Sequence, residues 1–360
     1  MPGPIAHTIG AGYTAVSLFF ILSGYILTYN YVPDPDAPAL DRRQFWIARV
    51  ARIYPVYVFS LLLALPRFLE LLIDSNASAS ASALDTTRVL GSSLLMVQAW
   101  FPSLAYRLNW ASWSLSAEAF FYALFPLLVP FVCSRRVRRH PVVVGAILWI
   151  VSVSVVMVIW KFSRTPMAKA VMSRNDWFTL LSFAPIFRLP EFVLGMLLGI
   201  AYPAGSARVS PRTGQLLTLG ALAMLVVLLP QSNRLPIIPL RTGLLMPVFG
   251  MLIVGLAVGK SAVTRFLSRP SLLLLGEASY SIYILHTPIH SWLRGVDMLD
   301  GGLLFSSPLW IPLYVAVTIS VSILTLRELE IPARAYVRRK FTRLSGRAPL
   351  VAPSGGPSPA

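Results

Sequence analysis

A carboxylate inside an apolar segment is the clearest candidate for chemistry in this chain. The segment from Asn109 to Pro126 is strongly apolar, yet it carries Glu118. In a helix, Ser114 and Tyr122 would share one face with Glu118, because each lies four residues from it. An ionised group in a membrane helix is costly unless it faces the bundle interior or water, so such groups often mark functional sites. We therefore predict a functional Glu118; the alternative is a buried carboxylate that only hydrogen-bonds a neighbouring helix.

A second polar face is predicted in the segment 276–290. Its members are spaced by four, three and four residues: Ser279, Tyr283, His286 and His290. They would lie on one side of a helix. His286 could act as a general base or donate a hydrogen bond to a substrate, although spacing alone favours a core histidine without such a role. The segment lacks the glutamate that accompanies paired histidines in zinc-protease helices, so no metal site is predicted.

Charged residues near the ends of other apolar segments form two further candidate groups. Arg188 and Glu191 lie three residues apart, so they could contact a substrate or pair with one another. Arg49 and Arg52 stand at the start of the second apolar segment, where guanidinium groups suit the phosphates of a cytoplasmic ligand. Arginines at a cytoplasmic helix end also satisfy the positive-inside rule without a ligand, and both explanations stay open.

The composition predicts the elements that must position these side chains. Hydrophobic residues make up 56% of the chain and charged residues only 12%, about half of the ~25% usual in globular proteins. Long apolar runs recur, which indicates an all-α, polytopic transmembrane bundle. The net charge of +17 comes mostly from arginines in short loops between apolar runs. It therefore indicates membrane orientation rather than a nucleic-acid partner. The single cysteine, Cys133, excludes an intrachain disulfide framework.

Nine apolar stretches are predicted to span the membrane. They cover residues 12–31, 45–73, 109–133, 141–160, 180–202, 214–230, 240–258, 271–292 and 305–326. If the run Arg135–Arg139 faces the cytoplasm, the C-terminal tail does too. A crossing at 88–104 would move Arg42 and Arg43 to the outside, so that segment is predicted to be re-entrant or interfacial.

The remaining segments complete the predicted domain organisation. Residues 1–11 form a short irregular N-terminal segment, and residues 74–87 an exposed loop. Residues 12–330 form the membrane domain. Residues 331–360 form a basic cytoplasmic tail that is disordered from residue 348.

Six motifs occur in the order that is typical of one family. They are Val16–Tyr25 (Val-Ser-Leu-Phe-Phe-Ile-Leu-Ser-Gly-Tyr), Arg49–Pro55 (Arg-Val-Ala-Arg-Ile-Tyr-Pro), Trp113–Glu118 (Trp-Ser-Leu-Ser-Ala-Glu), Phe192–Gly199, Ser279–His286 and Glu330–Pro332. In this ordered set the chain resembles the acyltransferase-3 family of integral membrane acyltransferases over about residues 12–340. Tyr25 stands where the family usually has Phe.

The resemblance implies an activity and assigns the candidate residues to roles. Family members transfer an acyl group, most often acetyl, from cytoplasmic acyl-CoA to hydroxyls of O-antigen, other exported glycans or macrolide sugars. Acyl-CoA would be a co-substrate, no cofactor would be bound, and the protein would lie in the bacterial inner membrane among its lipids. Catalytic roles fall to Glu118 and His286, and acyl-CoA binding to Arg49 and Arg52. The substrate-binding residues would be Ser114, Tyr122, Tyr283, Arg188 and Glu191.

One feature of the family is not matched. Its members begin with a span that carries an arginine and a histidine, and that histidine is regarded as catalytic. Here His7 precedes the first predicted span and is assigned to a linker. A start site placed too late, which removed a first span, explains the difference at least as well as nine spans with residues 1–11 outside, and both explanations stay open. An inactive truncated acyltransferase and a transporter or flippase without chemistry are the alternatives, although no inverted repeat supports transport. The sequence specifies neither the acceptor nor the oligomeric state.

Overall fold

The computed structural model describes residues 3–32, 40–74, 78–203, 209–258, 261–299, 305 and 307–345. The regular elements of these ranges are helical, which confirms the predicted all-α class. The α-helices are α1 Pro4–Gly10, α2 Ala15–Tyr31, α3 Arg42–Asp74, α4 Ala79–Leu94, α5 Trp113–Val132, α6 Arg135–Arg139, α7 Pro141–Phe162, α8 Pro166–Val171, α9 Arg174–Phe183, α10 Pro185–Ala201, α11 Pro211–Leu228, α12 Ile237–Arg241, α13 Met246–Val258, α14 Ala262–Leu267, α15 Pro270–Leu299, α16 Trp310–Thr325 and α17 Ile331–Ser345.

Eight helical segments in the described ranges are long and apolar enough to cross a membrane. They are Pro4–Tyr31, Arg42–Asp74, Trp110–Val132, Pro141–Phe162, Arg174–Ala201, Pro211–Arg234, Ile237–Val258 and Trp310–Val337. The other predicted span, 271–292, lies in α15, whose 30 residues would extend about 45 Å. Helix α15 carries the polar face described above and is not among the eight candidate spans, so its crossing of the membrane stays a prediction. No candidate span covers 88–104, and a re-entrant or interfacial position for that segment stays a prediction.

Three segments are more regular than the sequence patterns indicated. Residues 4–10 are helical, not irregular, and a 3₁₀ turn at Ala11–Thr14 joins them to α2. Most of the segment predicted as an exposed loop lies in α4, where Ser78 caps the helix by accepting a hydrogen bond from Ala81 N at 3.4 Å. Alanine is the best helix former and serine a preferred N-cap, which explains that helix. Residues 331–345 of the tail form α17, while the predicted disordered end, 348–360, lies outside the described residues.

The described chain divides into two compact units. The first unit comes from residues 1–38 and 78–270, and the second from residues 39–77 and 271–360. The first unit holds Ser114, Glu118, Tyr122, Arg188 and Glu191. The second unit holds Arg49, Arg52, Tyr283 and His286.

A glycine-mediated crossing of α2 and α10 organises the first unit. A Cβ atom on Gly195 would lie 1.9 Å from the carbonyl oxygen of Ile21, and one on Gly24 would lie 2.1 Å from that of Phe192. Only glycine permits such an approach, as is common where membrane helices pack closely. Phe121 of α5 stacks on Phe192 with ring centroids 5.0 Å apart, which brings α5 against the same pair.

Hydrogen bonds from α15 connect the helices of the second unit. Tyr280 donates to the carbonyl oxygen of Ile53 at 2.6 Å, and Trp292 Nε1 donates to that of Leu63 at 2.8 Å, both on α3. Tyr314 of α16 donates to the carbonyl oxygen of His286 at 3.1 Å. A π-helical turn, Leu326–Glu330, joins α16 to α17.

Candidate active site

Glu118 lies near the start of α5, and the preceding segment fixes that start. The side chain of Asn109 accepts a hydrogen bond from Ala111 N at 3.1 Å, which caps the turn before α5. Gln98 Nε2 donates to the carbonyl oxygen of Ser112 at 2.9 Å. Both side chains are buried, so they hold the first turn of α5 in place. Glu118 follows on the second turn and is half-buried.

Two hydroxyl groups hold one oxygen of the Glu118 carboxylate. Tyr122 donates to Oε1, as its position one turn further along α5 predicts. Ser23 of α2 donates to the same oxygen at 3.3 Å. Ser114 shares the predicted face, but its hydroxyl donates to the carbonyl oxygen of Ala111 at 3.1 Å, within the start of its own helix. The structure thus brings Tyr122 to the carboxylate and leaves Ser114 occupied locally.

Sequence reasoning missed Ser23 as a partner of Glu118. The signal was present, because Ser23 is a polar residue inside an apolar helix and belongs to the motif Val16–Tyr25. The partner lies on another helix, however, and helical spacing reports only neighbours on the same helix.

The second oxygen of Glu118 defines what this group can do chemically. Within the part of the chain that the structure describes, both hydrogen bonds to the carboxylate go to Oε1. A carboxylate has about four acceptor positions, so Oε2 can accept a hydrogen bond from a ligand. Tyr122 and Ser23 restrict its rotation. Glu118 can therefore present a fixed acceptor to a hydroxyl group.

Arg188 and Glu191 form an ion pair inside the first unit. Arg188 Nη2 lies 3.0 Å from Glu191 Oε2, and the two side chains are only 1% and 0% exposed. The same nitrogen donates to Ser17 of α2 at 3.1 Å. The guanidinium group also lies over the rings of Phe20 and Trp113, at 5.2 and 5.6 Å from their centroids. The structure thus shows the local pairing that was the alternative for these residues, and their substrate-binding role stays a prediction.

The imidazole of His286 has a defined tautomer. Its Nδ1 lies 2.5 Å from the carbonyl oxygen of Tyr283, one turn earlier in α15. A carbonyl oxygen can only accept, so Nδ1 carries the proton and Nε2 is left as a hydrogen-bond acceptor. Thr287 Oγ1 lies 3.3 Å from Nε2. The ring of Tyr283 is tilted at 47° to the imidazole, with centroids 5.8 Å apart. Nε2 is the nitrogen that can accept a proton.

His290 lies among aromatic rings of the second unit. The centroid of its imidazole lies 5.6–5.9 Å from the ring centroids of three residues, Phe305, Trp310 and Tyr314. Such edge-to-face packing is typical of a core aromatic group. His290 therefore supports the α15–α16 contact.

A third arginine accompanies Arg49 and Arg52. Arg334 of α17 lies close enough to both for electrostatic repulsion, and it forms an ion pair with Glu330. Ser281 of α15 donates to the other oxygen of Glu330 at 3.1 Å. The sequence placed Arg334 only in the basic tail. The structure assigns it to the end of the second unit that carries Arg49 and Arg52.

The fold and these side chains define a polytopic helical membrane protein with polar groups held inside apolar units. Residues 2–327 match the sequence model of a family described as an acyltransferase domain. The match extends over most of the chain, which belongs to the acyltransferase-3 family and is an acyltransferase.

Two similar proteins illustrate the range of relatives. The chain is 29% identical over 316 residues to the acyltransferase MdmB of Streptomyces mycarofaciens, covering 85% of this chain and 74% of that protein. It is 25% identical over 305 residues to the O-acetyltransferase OatA of Staphylococcus aureus, covering 79% of this chain. The alignment spans 47% of OatA, about half of its length. No solved structure matches the chain.

Proposed function

We propose that this acyltransferase moves an acyl group, most often acetyl, from cytoplasmic acyl-CoA to a hydroxyl of a carbohydrate or glycosylated acceptor. The name of the relative OatA, an O-acetyltransferase, supports oxygen as the acceptor atom and acetyl as the group. The protein would act in a bacterial inner membrane with its C-terminus in the cytoplasm. The arginine-rich segments between its spans support this orientation.

The observation that carries this proposal is the half-buried carboxylate of Glu118. A carboxylate at this depth is costly to keep unless a ligand or a fixed hydrogen-bond partner uses it. Tyr122 and Ser23 hold Oε1, so Oε2 can accept a hydrogen bond from the acceptor hydroxyl. Such a contact would select one hydroxyl and fix its direction of attack.

The transfer needs a base as well as an orienting group. The hydroxyl oxygen attacks the thioester carbon, its proton leaves to a base, and the carbon–sulfur bond then breaks. Coenzyme A departs with a proton on sulfur. His286 Nε2 could accept that proton, because Nδ1–H faces the Tyr283 carbonyl oxygen and the Thr287 hydroxyl beside Nε2 can turn away. Tyr283 could donate to the substrate.

The phosphates of acyl-CoA would bind to Arg49 and Arg52. Guanidinium groups recognise phosphate oxygens with paired hydrogen bonds, which favours arginine over lysine at such a site. Arg334 adds a third positive charge beside them. Its ion pair with Glu330 would keep that side chain in one orientation.

The test measures thioester consumption by the full chain in lipid nanodiscs. Acetyl-CoA is supplied with a panel of glycans and glycosylated macrolides, and both free thiol and acetylated acceptor are quantified. Glu118→Gln should lower acceptor acetylation by at least about 100-fold, because the neutral amide oxygen accepts hydrogen bonds more weakly. Its thermal unfolding should stay near that of the unsubstituted protein.

The matched control is Glu70→Gln, which removes a carboxylate that pairs with Arg67 on the exposed side of α3. This variant should keep full activity. Unchanged turnover in Glu118→Gln would remove Glu118 from the mechanism. A protein that consumes no thioester with any acceptor, while remaining folded, would favour the transporter or inactive alternative.

A further inference from the structure

The first unit contains a cavity of about 540 Å³ at one end of its helices. The cavity lies where α5 ends at Val132, α7 begins at Pro141 and α10 ends at Ala201. The short helix α6 forms part of its wall. Three candidate spans begin or end here, and the ends of such spans are where the hydrocarbon of a membrane would give way to lipid headgroups.

Positive charge is concentrated on one wall of the cavity. Three of the four arginines of α6 line it: Arg135, Arg138 and Arg139. No lining residue is an aspartate or glutamate, and none of these arginines forms an ion pair within the described ranges. Like charges around a concave space repel one another, so an anion bound between them is favoured.

Another part of the wall is apolar. It includes Val132 at the end of α5, and Leu197 and Ile200 on the last turns of α10. A free inorganic anion would gain nothing from this surface. A phosphate group attached to an apolar body would contact both walls, because burial of its hydrocarbon adds to the charge interaction.

We propose that this cavity binds the headgroup of an anionic phospholipid. The phosphodiester accepts hydrogen bonds from Arg135, Arg138 and Arg139, while the glycerol and first acyl carbons pack on Leu197 and Ile200. Basic pockets between helices at the cytoplasmic surface are the usual sites for such headgroups. The positive-inside rule accounts for an arginine run here, but it does not require three of its members to surround a cavity.

A bound lipid would stabilise the folded protein by mass action, and this gives the test. The full chain is delipidated in detergent, and its thermal unfolding is followed with added phosphatidylglycerol or phosphatidylcholine. We expect a higher Tm with phosphatidylglycerol only. The double variant Arg138→Gln/Arg139→Gln should bind phosphatidylglycerol at least about tenfold more weakly, because hydrogen bonds to charged groups are among the strongest.

The chain offers a matched control within the same helix. Arg136 belongs to the same run but is not part of the cavity wall, so Arg136→Gln should keep the lipid response. Ile200→Trp tests the apolar wall, because its larger side chain occupies the cavity without changing charge; lipid binding should weaken. Neither measurement depends on acyl transfer.

Several results would overturn the assignment. An equal Tm shift from glycerol 3-phosphate at the same concentration would identify a site for soluble phosphate instead of a lipid. Equal losses in Arg136→Gln and in the double variant would indicate diffuse surface attraction. The absence of any response to phosphatidylglycerol in the unsubstituted protein would refute the site itself.

Discussion

The Gly195→Ala substitution tests how the first unit is held together. The new Cβ atom would lie 1.9 Å from the carbonyl oxygen of Ile21, whereas ordinary contact begins near 3.4 Å. Because the opposing atom belongs to the backbone, α2 and α10 must separate by about 1.5 Å at this point. Overpacking of this kind costs about 1–3 kcal/mol.

The separation would also affect the buried arginine. The 3.1 Å hydrogen bond from Arg188 to Ser17 connects α10 to α2. Helix separation would stretch it beyond hydrogen-bonding distance, and an unsatisfied buried group costs about another 1–3 kcal/mol. We therefore expect a total loss of roughly 2–6 kcal/mol, which for a chain of 360 residues corresponds to a fall in Tm of roughly 3–8 °C.

The assay is thermal unfolding of the purified protein in detergent, followed by tryptophan fluorescence. The control is Gly91→Ala in α4, where an added Cβ atom would meet no atom within 4 Å. This control should be neutral or slightly stabilising, since alanine favours helix over glycine by about 1 kcal/mol. If Gly195→Ala unfolds at the same temperature as the unsubstituted protein, the close backbone approach is not a determinant of stability.

Three further predictions concern buried or reactive groups. Arg188→Ala should lower the free energy of unfolding by roughly 3–5 kcal/mol and lower expression sharply, because it leaves the carboxylate of Glu191 buried without its partner. The double variant Arg188→Met/Glu191→Leu should elute as a folded protein in size-exclusion chromatography, which would show that the unpaired charge causes the loss. His286→Gln should lower acyl transfer by about 100-fold or more with an unchanged Tm, and full activity would exclude Nε2 as the base. Burial raises the pKa of the Cys133 thiol, so less thiolate is present at neutral pH. Alkylation by iodoacetamide should therefore be slower at pH 7 than for a free cysteine, and it should accelerate as the pH rises. A rate equal to that of free cysteine would contradict this prediction.

Apolar runs predicted most of the membrane helices, because a helix that crosses hydrocarbon needs a continuous apolar run, and such a run is visible in the sequence itself. They missed α4, because a segment of alanine and serine is not apolar enough to indicate a span and was interpreted as a loop. Alanine nevertheless favours helix, and serine favours the position before its first turn. Helical spacing placed Tyr122 beside Glu118, since both belong to α5. It could not show Ser23, which reaches the carboxylate from α2 through tertiary packing. Nor could spacing show how deeply Arg188 is buried, because burial depends on the surrounding helices.

The π-helical turn at Leu326–Glu330 has a consequence for the register of the last helix. A π turn holds one residue more than the α-helix around it, as if a single residue had been inserted there. Removing one residue from the turn would restore regular winding and rotate everything beyond it by about 100° around the axis. Glu330 would then face away from Ser281, to which it is now hydrogen-bonded. The side of the last helix on which Arg334 lies thus depends on the number of residues in this turn, as well as on the ion pair that Arg334 makes with Glu330.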